Sequence, residues 1–205
     1  MKDITNKKFW QRFAKIYAPF MKNSAPLYNE ICDKIKSKLN KNMNVLELAC
    51  GSGQLSFKLS NYVKIYEATD FSAQMISEAK KKQKGSRLHF SVQDATNLPY
   101  ADNSFDAVII SNALHIMPYP EKALAEIKRV LKNEGILFAP TFIHGESKGY
   151  RIRVKLMESV GFHTYFKWSE ETFKQFLIQN GFTPTEHKVI GDTFAPLCYM
   201  ECIVN

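Results

Sequence analysis

The chain has 205 residues and a net charge of +8, and 45% of its residues are hydrophobic and 23% charged. This length fits one domain with a well-buried core and excludes two full catalytic domains. No stretch approaches about eighteen uninterrupted apolar residues, so we expect no membrane-spanning helix. The four cysteines lack the spacing of metal ligands, and no apolar signal core follows the first methionine. We therefore expect reduced thiols in a cytoplasmic protein.

The first forty residues are predicted to form two helices. Aromatic side chains recur at helical spacing over residues 7–17, and basic residues fill the gaps between them. Packing of this aromatic face on the domain is the plainest interpretation. The alternatives are a lid over a ligand site, in which Tyr17 touches cofactor or substrate, and a helix on a membrane surface. The second helix is expected over residues 26–39.

From residue 43 onward, strands and helices alternate. The predicted strands cover residues 43–49, 63–69, 87–92, 105–111, 136–143, 184–190 and 197–204. Four helices are predicted between and after these strands. One follows the first strand, and one begins at Ser72 and ends at about Lys84. A third begins at Pro120 and ends at about Lys132, with Gly135 just past its end, and the fourth covers Ser169 to Asn180. This alternation predicts an α/β fold with a Rossmann-like, doubly wound sheet of seven strands. The sheet is expected to be mostly parallel, with one antiparallel strand in a C-terminal hairpin.

A strand that runs directly into two glycines marks the expected ligand site. Residues 45–48 suit a buried strand, and Gly51 and Gly53 follow at once. A strand, a tight glycine turn and a helix form a nucleotide-binding crevice at the carboxyl end of the strand. Glycine is needed there because a side chain would keep the ligand away from the backbone or forbid the turn.

Acidic residues at the ends of the next two strands indicate an adenosine ligand. Asp70 ends the second strand, where a carboxylate can accept both hydroxyls of a ribose; its alternative role is that of an acid at a helix N-terminus. Asp94 ends the third strand, where it can accept from an adenine amino group or cap its own loop. Phe71 and Met75 are candidates for an apolar wall beside the adenine, and packing in the core explains them equally well.

The glycine spacing argues against ligands with a phosphate chain. A dinucleotide fingerprint needs a third glycine three residues after the second, and Ser56 stands there. The Walker pattern is excluded because no Lys-Ser or Lys-Thr pair follows the turn. The crevice is therefore predicted to hold adenosine without phosphates.

Together these motifs resemble the small class I S-adenosylmethionine-dependent methyltransferases, especially the group that includes the ubiquinone and menaquinone biosynthesis type. The resemblance runs over residues 45–142 and continues weakly beyond. The first motif of the family, acid-x-Gly-x-Gly-x-Gly, is matched by Glu47, Ala49, Gly51 and Gly53, with alanine in place of the first glycine. The other matches are Asp70 with Phe71 and Ser72, Asp94 with Ala95, and residues 98–108, 113–115 and 126–135.

The resemblance implies S-adenosyl-L-methionine as the cofactor, S-adenosyl-L-homocysteine as the product, and no metal. Ser111 and Asn112 end the fourth strand, and in such a fold they stand beside the transferred methyl group. His115 follows within reach and is a candidate base that removes a proton from the substrate. A lone histidine at a helix start is more often structural, so both roles stay open.

A small molecule is the expected methyl acceptor. The fourth strand is followed by Ser-Asn-Ala-Leu and not by the Asn/Asp-Pro-Pro-aromatic motif of enzymes that methylate planar amino groups. No RNA-binding pattern accompanies the positive charge, although an anionic membrane stays a possible contact. An RNA or protein methyltransferase and a non-catalytic binder of the cofactor are the alternatives. One domain is expected, with a lid over 1–40, a cofactor-binding core over 43–142, a substrate-side insertion over 143–168, and a helix with the closing hairpin over 169–205.

Overall fold

The computed structural model describes residues 6, 9–11, 25–83, 85–143, 163–191 and 196–205. Asn6 and residues 9–11 are helical, and the rest of the helix predicted over 7–17, Tyr17 included, lies outside the described residues. Most of the predicted substrate-side insertion also lies outside them. Within the described ranges, no helix is both long enough and apolar enough to cross a membrane.

In the part of the chain that the structure describes, eight strands form one sheet at the centre of the fold. The strands are β1 (Asn44–Leu48), β2 (Ile65–Asp70), β3 (Leu88–Val92), β4 (Phe105–Ile110), β5 (Leu131–Phe138), β6 (Thr141–Phe142), β7 (Phe182–Ile190) and β8 (Leu197–Val204). Across the sheet they follow the order β3-β2-β1-β4-β5-β8-β6, and β7 also pairs with β8. Strands β1 to β5 are parallel, and β8 runs antiparallel to β5, β6 and β7. The predicted mostly parallel sheet with one antiparallel strand is therefore confirmed, with eight strands where seven were expected.

The helices cover both faces of this sheet. They are α1 (Ala25–Lys36), α2 (Ser56–Leu59), α3 (Ala73–Lys80), α4 (Pro120–Val130) and α5 (Glu170–Gln179), with short 3-10 turns at Ser60–Tyr62 and Leu114–Ile116. Alternate residues of β4 point to opposite faces, as strand geometry requires. Val108 packs in a core cluster with Leu124 of α4 and Phe173 of α5, whereas Ile109 packs with Ile31 of α1 and Ile76 of α3.

Two serine caps fix the starts of α3 and α5. The Ser72 hydroxyl accepts the N–H of Met75 at 3.3 Å. The Ser169 hydroxyl accepts the N–H of Thr172 at 3.2 Å, and the Thr172 hydroxyl in turn accepts the N–H of Ser169 at 2.8 Å, which completes a capping box. Both helix starts agree with the sequence prediction.

The boundary between α4 and β5 differs from the prediction. The helix ends at Val130, and Gly135 lies inside β5 instead of just past the helix end. Leu131 already pairs with Phe105, and Glu134 at φ 65° accompanies a bulge before Ile136 resumes the register. The prediction was wrong here because pairing with β4 ends the helix earlier than local sequence signals indicate.

The additional strand arises where the predicted fifth strand is interrupted at Pro140. Proline has no backbone N–H, so the ladder stops there and resumes as β6, two residues long. The carbonyl oxygen of Pro140 instead accepts the N–H of Asn112 at 2.8 Å. This bond links the end of β5 to the loop that follows β4.

Candidate functional site

A cavity of about 340 Å³ opens at the carboxyl ends of the central parallel strands. Its volume lies within the roughly 300–1,000 Å³ typical of small-molecule sites. Its walls come from the loops after β1, β2, β3 and β4 and from the N-terminal segment. The lining residues are Asn6, Trp10, Ala49, Gly51, Asp70, Phe71, Ser72, Met75, Asp94, Ala95, Thr96, Ser111, Asn112, Ala113, Ile116, Met117, Pro118 and Tyr119. All the predicted cofactor-site residues except Glu47 and Gly53 are therefore brought to one cavity.

The turn after β1 has the left-handed backbone that its glycines predict. Gly51 has φ 56° and Gly53 φ 85°. A Cβ on Gly53 would meet a ring carbon of Phe57 at 2.7 Å, so a side chain there would displace this ring as well as strain the turn. Ala49 lines the cavity with φ 53°, a conformation that costs a residue with a side chain more than it costs glycine.

The carboxylate of Asp70 ties this turn to the start of α3. Its Oδ2 accepts the N–H of Gly51 and its Oδ1 accepts the N–H of Ser72, each at 2.8 Å. Burial raises the pKa of Asp70 to about 6, although the two N–H groups act in the opposite direction. Asp70 is therefore a carboxyl group with a raised pKa in the wall of the cavity.

Glu47 is buried and does not line the cavity. Its carboxylate accepts the Ser56 hydroxyl at 2.5 Å and the Tyr66 hydroxyl at 2.9 Å. Burial raises the pKa of Glu47 to about 7, the two hydroxyls lower it, and the charge of Asp70 raises it further. Glu47 thus braces β1 against β2 and α2, directly behind the glycine turn.

The side chains of Asp94 and Asn112 also form hydrogen bonds within the chain. Asp94 Oδ1 accepts the N–H of Thr96 at 2.9 Å and its hydroxyl at 2.8 Å, which is the loop-capping role. Asn112 donates to the Tyr28 hydroxyl at 2.9 Å and accepts the N–H of Phe142 at 3.1 Å. The Asn112 side chain therefore holds the end of β4 against α1 and β6.

His115 is buried and is absent from the residues that line the cavity. Its Nδ1 lies 3.0 Å from the Thr141 hydroxyl, and its carbonyl oxygen accepts the N–H groups of Tyr165 and Phe166 at 3.0 and 3.1 Å. These contacts give His115 a place in the framework behind the cavity wall. Tyr17, the other predicted residue with a substrate-side role, lies outside the described residues.

Comparison with known proteins decides the family. The family model described as "Methyltransferase domain" matches residues 46–139. The demethylmenaquinone methyltransferase of Clavibacter sepedonicus is 33% identical over 164 residues, which are 70% of this chain and 67% of that relative. The chain belongs to the class I S-adenosylmethionine-dependent methyltransferases.

Two further proteins are similar to this chain, one in sequence over part of its length and one in fold. The demethylmenaquinone methyltransferase of Renibacterium salmoninarum is 42% identical over 100 residues, 49% of this chain and 41% of the relative. The chain covers under half the length of most curated relatives that it matches. A solved methyltransferase structure from Thermotoga maritima, described as a possible histamine N-methyltransferase, agrees in fold. Its TM-score is 0.75 at 22% identity, over 96% of this chain and 98% of its own.

Part of the cavity of this methyltransferase chain was missed by sequence reasoning. Asn6 lines the cavity together with Trp10, and residues 116–119 form a wall after β4. Trp10 belongs to the aromatic run whose alternative role was a lid, so a signal for it existed. Asn6 gives no signal, because its contacts reach residues 110 and 157 positions away in the sequence.

Proposed function

We propose that this protein transfers a methyl group from S-adenosyl-L-methionine to a small-molecule acceptor by direct displacement. The observation that carries the proposal is the cavity in which Asp70, the glycine turn and the Asp94 loop converge. A carboxylate at the end of β2 and a backbone turn without side-chain obstruction at Gly51 fit an adenosine with free ribose hydroxyls. Membership of the methyltransferase family supports the same cofactor.

In this proposal the described residues hold different parts of the cofactor. Asp70 accepts the ribose hydroxyls, and Asp94 and Ala95 contact the adenine between the apolar side chains of Phe71 and Met75. The backbone of residues 49–51 and of residues 111–112 holds the methionyl part. Glu47 and Gly53 act from behind, because they fix the turn without lining the cavity.

The protein's contribution to the reaction is alignment and the exclusion of water. When bound, S-adenosyl-L-methionine supplies a methyl group on a positively charged sulfur, and the carbon of that methyl group is therefore electrophilic. The walls of the cavity hold the acceptor's nucleophilic atom in line with that carbon, which is the larger part of such catalysis. We assign His115 a positioning role, since its ring is held at Thr141 behind the wall.

The acceptor that fits best is a small molecule with an apolar ring. Trp10 and residues 116–119 supply aromatic, sulfur-containing and aliphatic groups at the cavity wall. Relatives at 33% and 42% identity are named demethylmenaquinone methyltransferases, which supports a quinone-like acceptor.

The cysteines are all free and buried, and this supports a reducing, cytoplasmic location.

Calorimetry on purified protein tests the cofactor assignment. We expect S-adenosylhomocysteine to bind and NAD to bind far more weakly. Replacing Asp70 with Asn removes a charge-assisted bond worth roughly 1.5–3 kcal/mol, so S-adenosylhomocysteine affinity should fall about ten- to hundredfold. Asp102→Asn is the matched control, because Asp102 is exposed and pairs with Arg129 before β4. Comparable NAD affinity would contradict the cofactor assignment, and an Asp70→Asn variant that binds like the wild type would remove Asp70 from the binding site.

The melting temperature of the ligand-free protein separates the two roles of Asp70. Asn keeps an oxygen for only one of the two N–H groups that Asp70 accepts, and it also removes a buried charge. These effects oppose each other, so we expect little change in the melting temperature. A large fall in the melting temperature with unchanged S-adenosylhomocysteine affinity would make Asp70 a purely structural residue.

A labelling experiment identifies the methyl acceptor. The protein is incubated with labelled S-adenosylmethionine and cell extract, and the molecule that carries the label afterwards is the acceptor.

A further inference from the structure

The side chain of Asn6 joins three parts of the chain beside the cavity. Its Nδ2 donates to the carbonyl oxygens of Ile116 at 2.9 Å and His163 at 3.0 Å, and its Oδ1 accepts the N–H of His163 at 2.9 Å. Asn6 is only 5% exposed. We call these three hydrogen bonds the Asn6 clasp.

The two segments held by the Asn6 clasp are themselves anchored. The carbonyl oxygen of His115, next to Ile116, accepts the N–H groups of Tyr165 and Phe166. The Phe166 ring stacks on Trp168 at a centroid distance of 5.1 Å, and Trp168 stacks on Phe176 of α5 at 4.7 Å. The clasp therefore connects the N-terminal segment to a well-packed part of the molecule.

Asn6 and Trp10 are four positions apart, and both are helical and line the same cavity. Trp10 is therefore close to Asn6 along the chain, and fixing Asn6 also limits where the Trp10 indole can lie. Ile116, a partner in the clasp, is the first of residues 116–119, which line the same cavity as Trp10.

We propose that Asn6 is a positioning residue, and that the Asn6 clasp holds Trp10 in place as a wall of the cavity. The inference rests on the proposed function, because methyl transfer requires an aligned acceptor and a site closed to water. Asparagine suits the role, since its amide offers two donors and an acceptor on a short side chain. Aspartate would keep the bond to the N–H of His163 but would set a carboxylate against two carbonyl oxygens.

Fluorine NMR on protein labelled with 5-fluorotryptophan tests the proposal. The chain has two tryptophans, so two resonances are expected, and Trp10→Phe identifies the one from Trp10. Trp168 is 7% exposed in the aromatic stack and reports whether the fold is intact. The variants are Asn6→Ala and Asn6→Asp. The control is Asn40→Ala, which removes a local hydrogen bond from the N–H of Asn42. This bond lies in the turn before β1, whereas the cavity lies at the carboxyl end of that strand.

In both Asn6 variants, we expect the Trp10 resonance to move toward the position of free 5-fluorotryptophan, while the Trp168 resonance stays dispersed. Added S-adenosylhomocysteine should shift the Trp10 resonance in the wild type and in Asn40→Ala, and this response should be lost without the clasp. An unchanged Trp10 resonance in both Asn6 variants would overturn the proposal. Loss of the Trp168 dispersion in both variants would also overturn it, since Asn6 would then serve the whole fold.

Calorimetry on the same samples separates this inference from the proposed function. If S-adenosylhomocysteine binds to no sample, the wild type included, the proposed function fails, and the Trp10 resonance without ligand still decides the role of Asn6. If the cofactor product binds normally and the Trp10 resonance does not depend on Asn6, the clasp proposal alone fails.

Discussion

Asp70 combines a burial cost with two backbone hydrogen bonds, and this combination predicts opposite pH dependences for binding and stability. Its pKa is raised to about 6 from a usual 3.8. The folded protein therefore binds a proton at Asp70 more readily than the unfolded chain does. The stability that this group contributes is fully present below pH 3.8 and is lost as the pH rises through 6. Ribose hydroxyls, in contrast, need the ionised carboxylate.

We therefore expect S-adenosylhomocysteine affinity to fall as the pH is lowered through about 6, the raised pKa of Asp70. Calorimetry at several pH values, on the wild type and on Asp70→Asn, measures this. The Asn variant has no group to titrate at that position, so its affinity should vary less with pH. Equal pH profiles for the two proteins would show that another group, such as Glu47, controls binding.

Ala49 is a second residue whose conformation predicts a measurable effect. At φ 53° the steric strain on a residue with a Cβ destabilises the folded protein by about 1–2 kcal/mol. Glycine avoids this strain, but it loses more chain entropy on folding, which costs roughly 0.5–1 kcal/mol. Ala49→Gly is therefore expected to raise the free energy of unfolding by about 0.5–1 kcal/mol in urea denaturation. Ala107→Gly is the control, because Ala107 is fully buried in β4 and its φ is not positive, so this variant should lose stability. A destabilised Ala49→Gly protein would mean that the methyl group packs usefully at the cavity wall.

At the scale of elements, the capping box of α5 is the local feature with the clearest predicted cost. Ser169→Ala removes one side of the reciprocal pair with Thr172, and we expect a loss of about 1 kcal/mol in thermal denaturation. Ser37→Ala is the control, since the exposed Ser37 hydroxyl only donates back to the carbonyl oxygen of Lys34. If both variants lose the same stability, the loss cannot be assigned to the cap.

Elements were predictable from the sequence where local signals and tertiary pairing agree. The serine caps at Ser72 and Ser169 and the apolar strand before Gly51 are local features, and the structure has each of them. The end of α4 was not predictable, because Leu131 enters the sheet through its pairing with Phe105. The Asn6 clasp was beyond sequence reasoning for the same reason, since its partners are far away along the chain.

For the whole molecule, removing residues 1–22 is expected to separate binding from turnover. The deletion takes away Asn6 and Trp10 but leaves α1, the sheet and the residues after β1, β2 and β3 that line the cavity. We expect a folded protein by circular dichroism, with turnover reduced more than S-adenosylhomocysteine affinity. Full turnover by the deletion variant would show that the N-terminal segment only packs on the domain and has no part in the reaction. Binding of the isolated segment to anionic vesicles would instead favour a membrane contact.

The position of β8 between β5 and β7 sets a condition on how the protein is made. Ile136 in β5 pairs with Ala107 in β4 on one side and with Ile203 in β8 on the other. On the ribosome, a nascent chain that has completed β5 still presents one open edge until residues 197–204 emerge. Contacts this distant along the chain raise the contact order and slow folding. An open apolar strand is also a site of aggregation. During synthesis, we therefore expect the edge of β5 to be exposed to aggregation until β8 has emerged and paired with it.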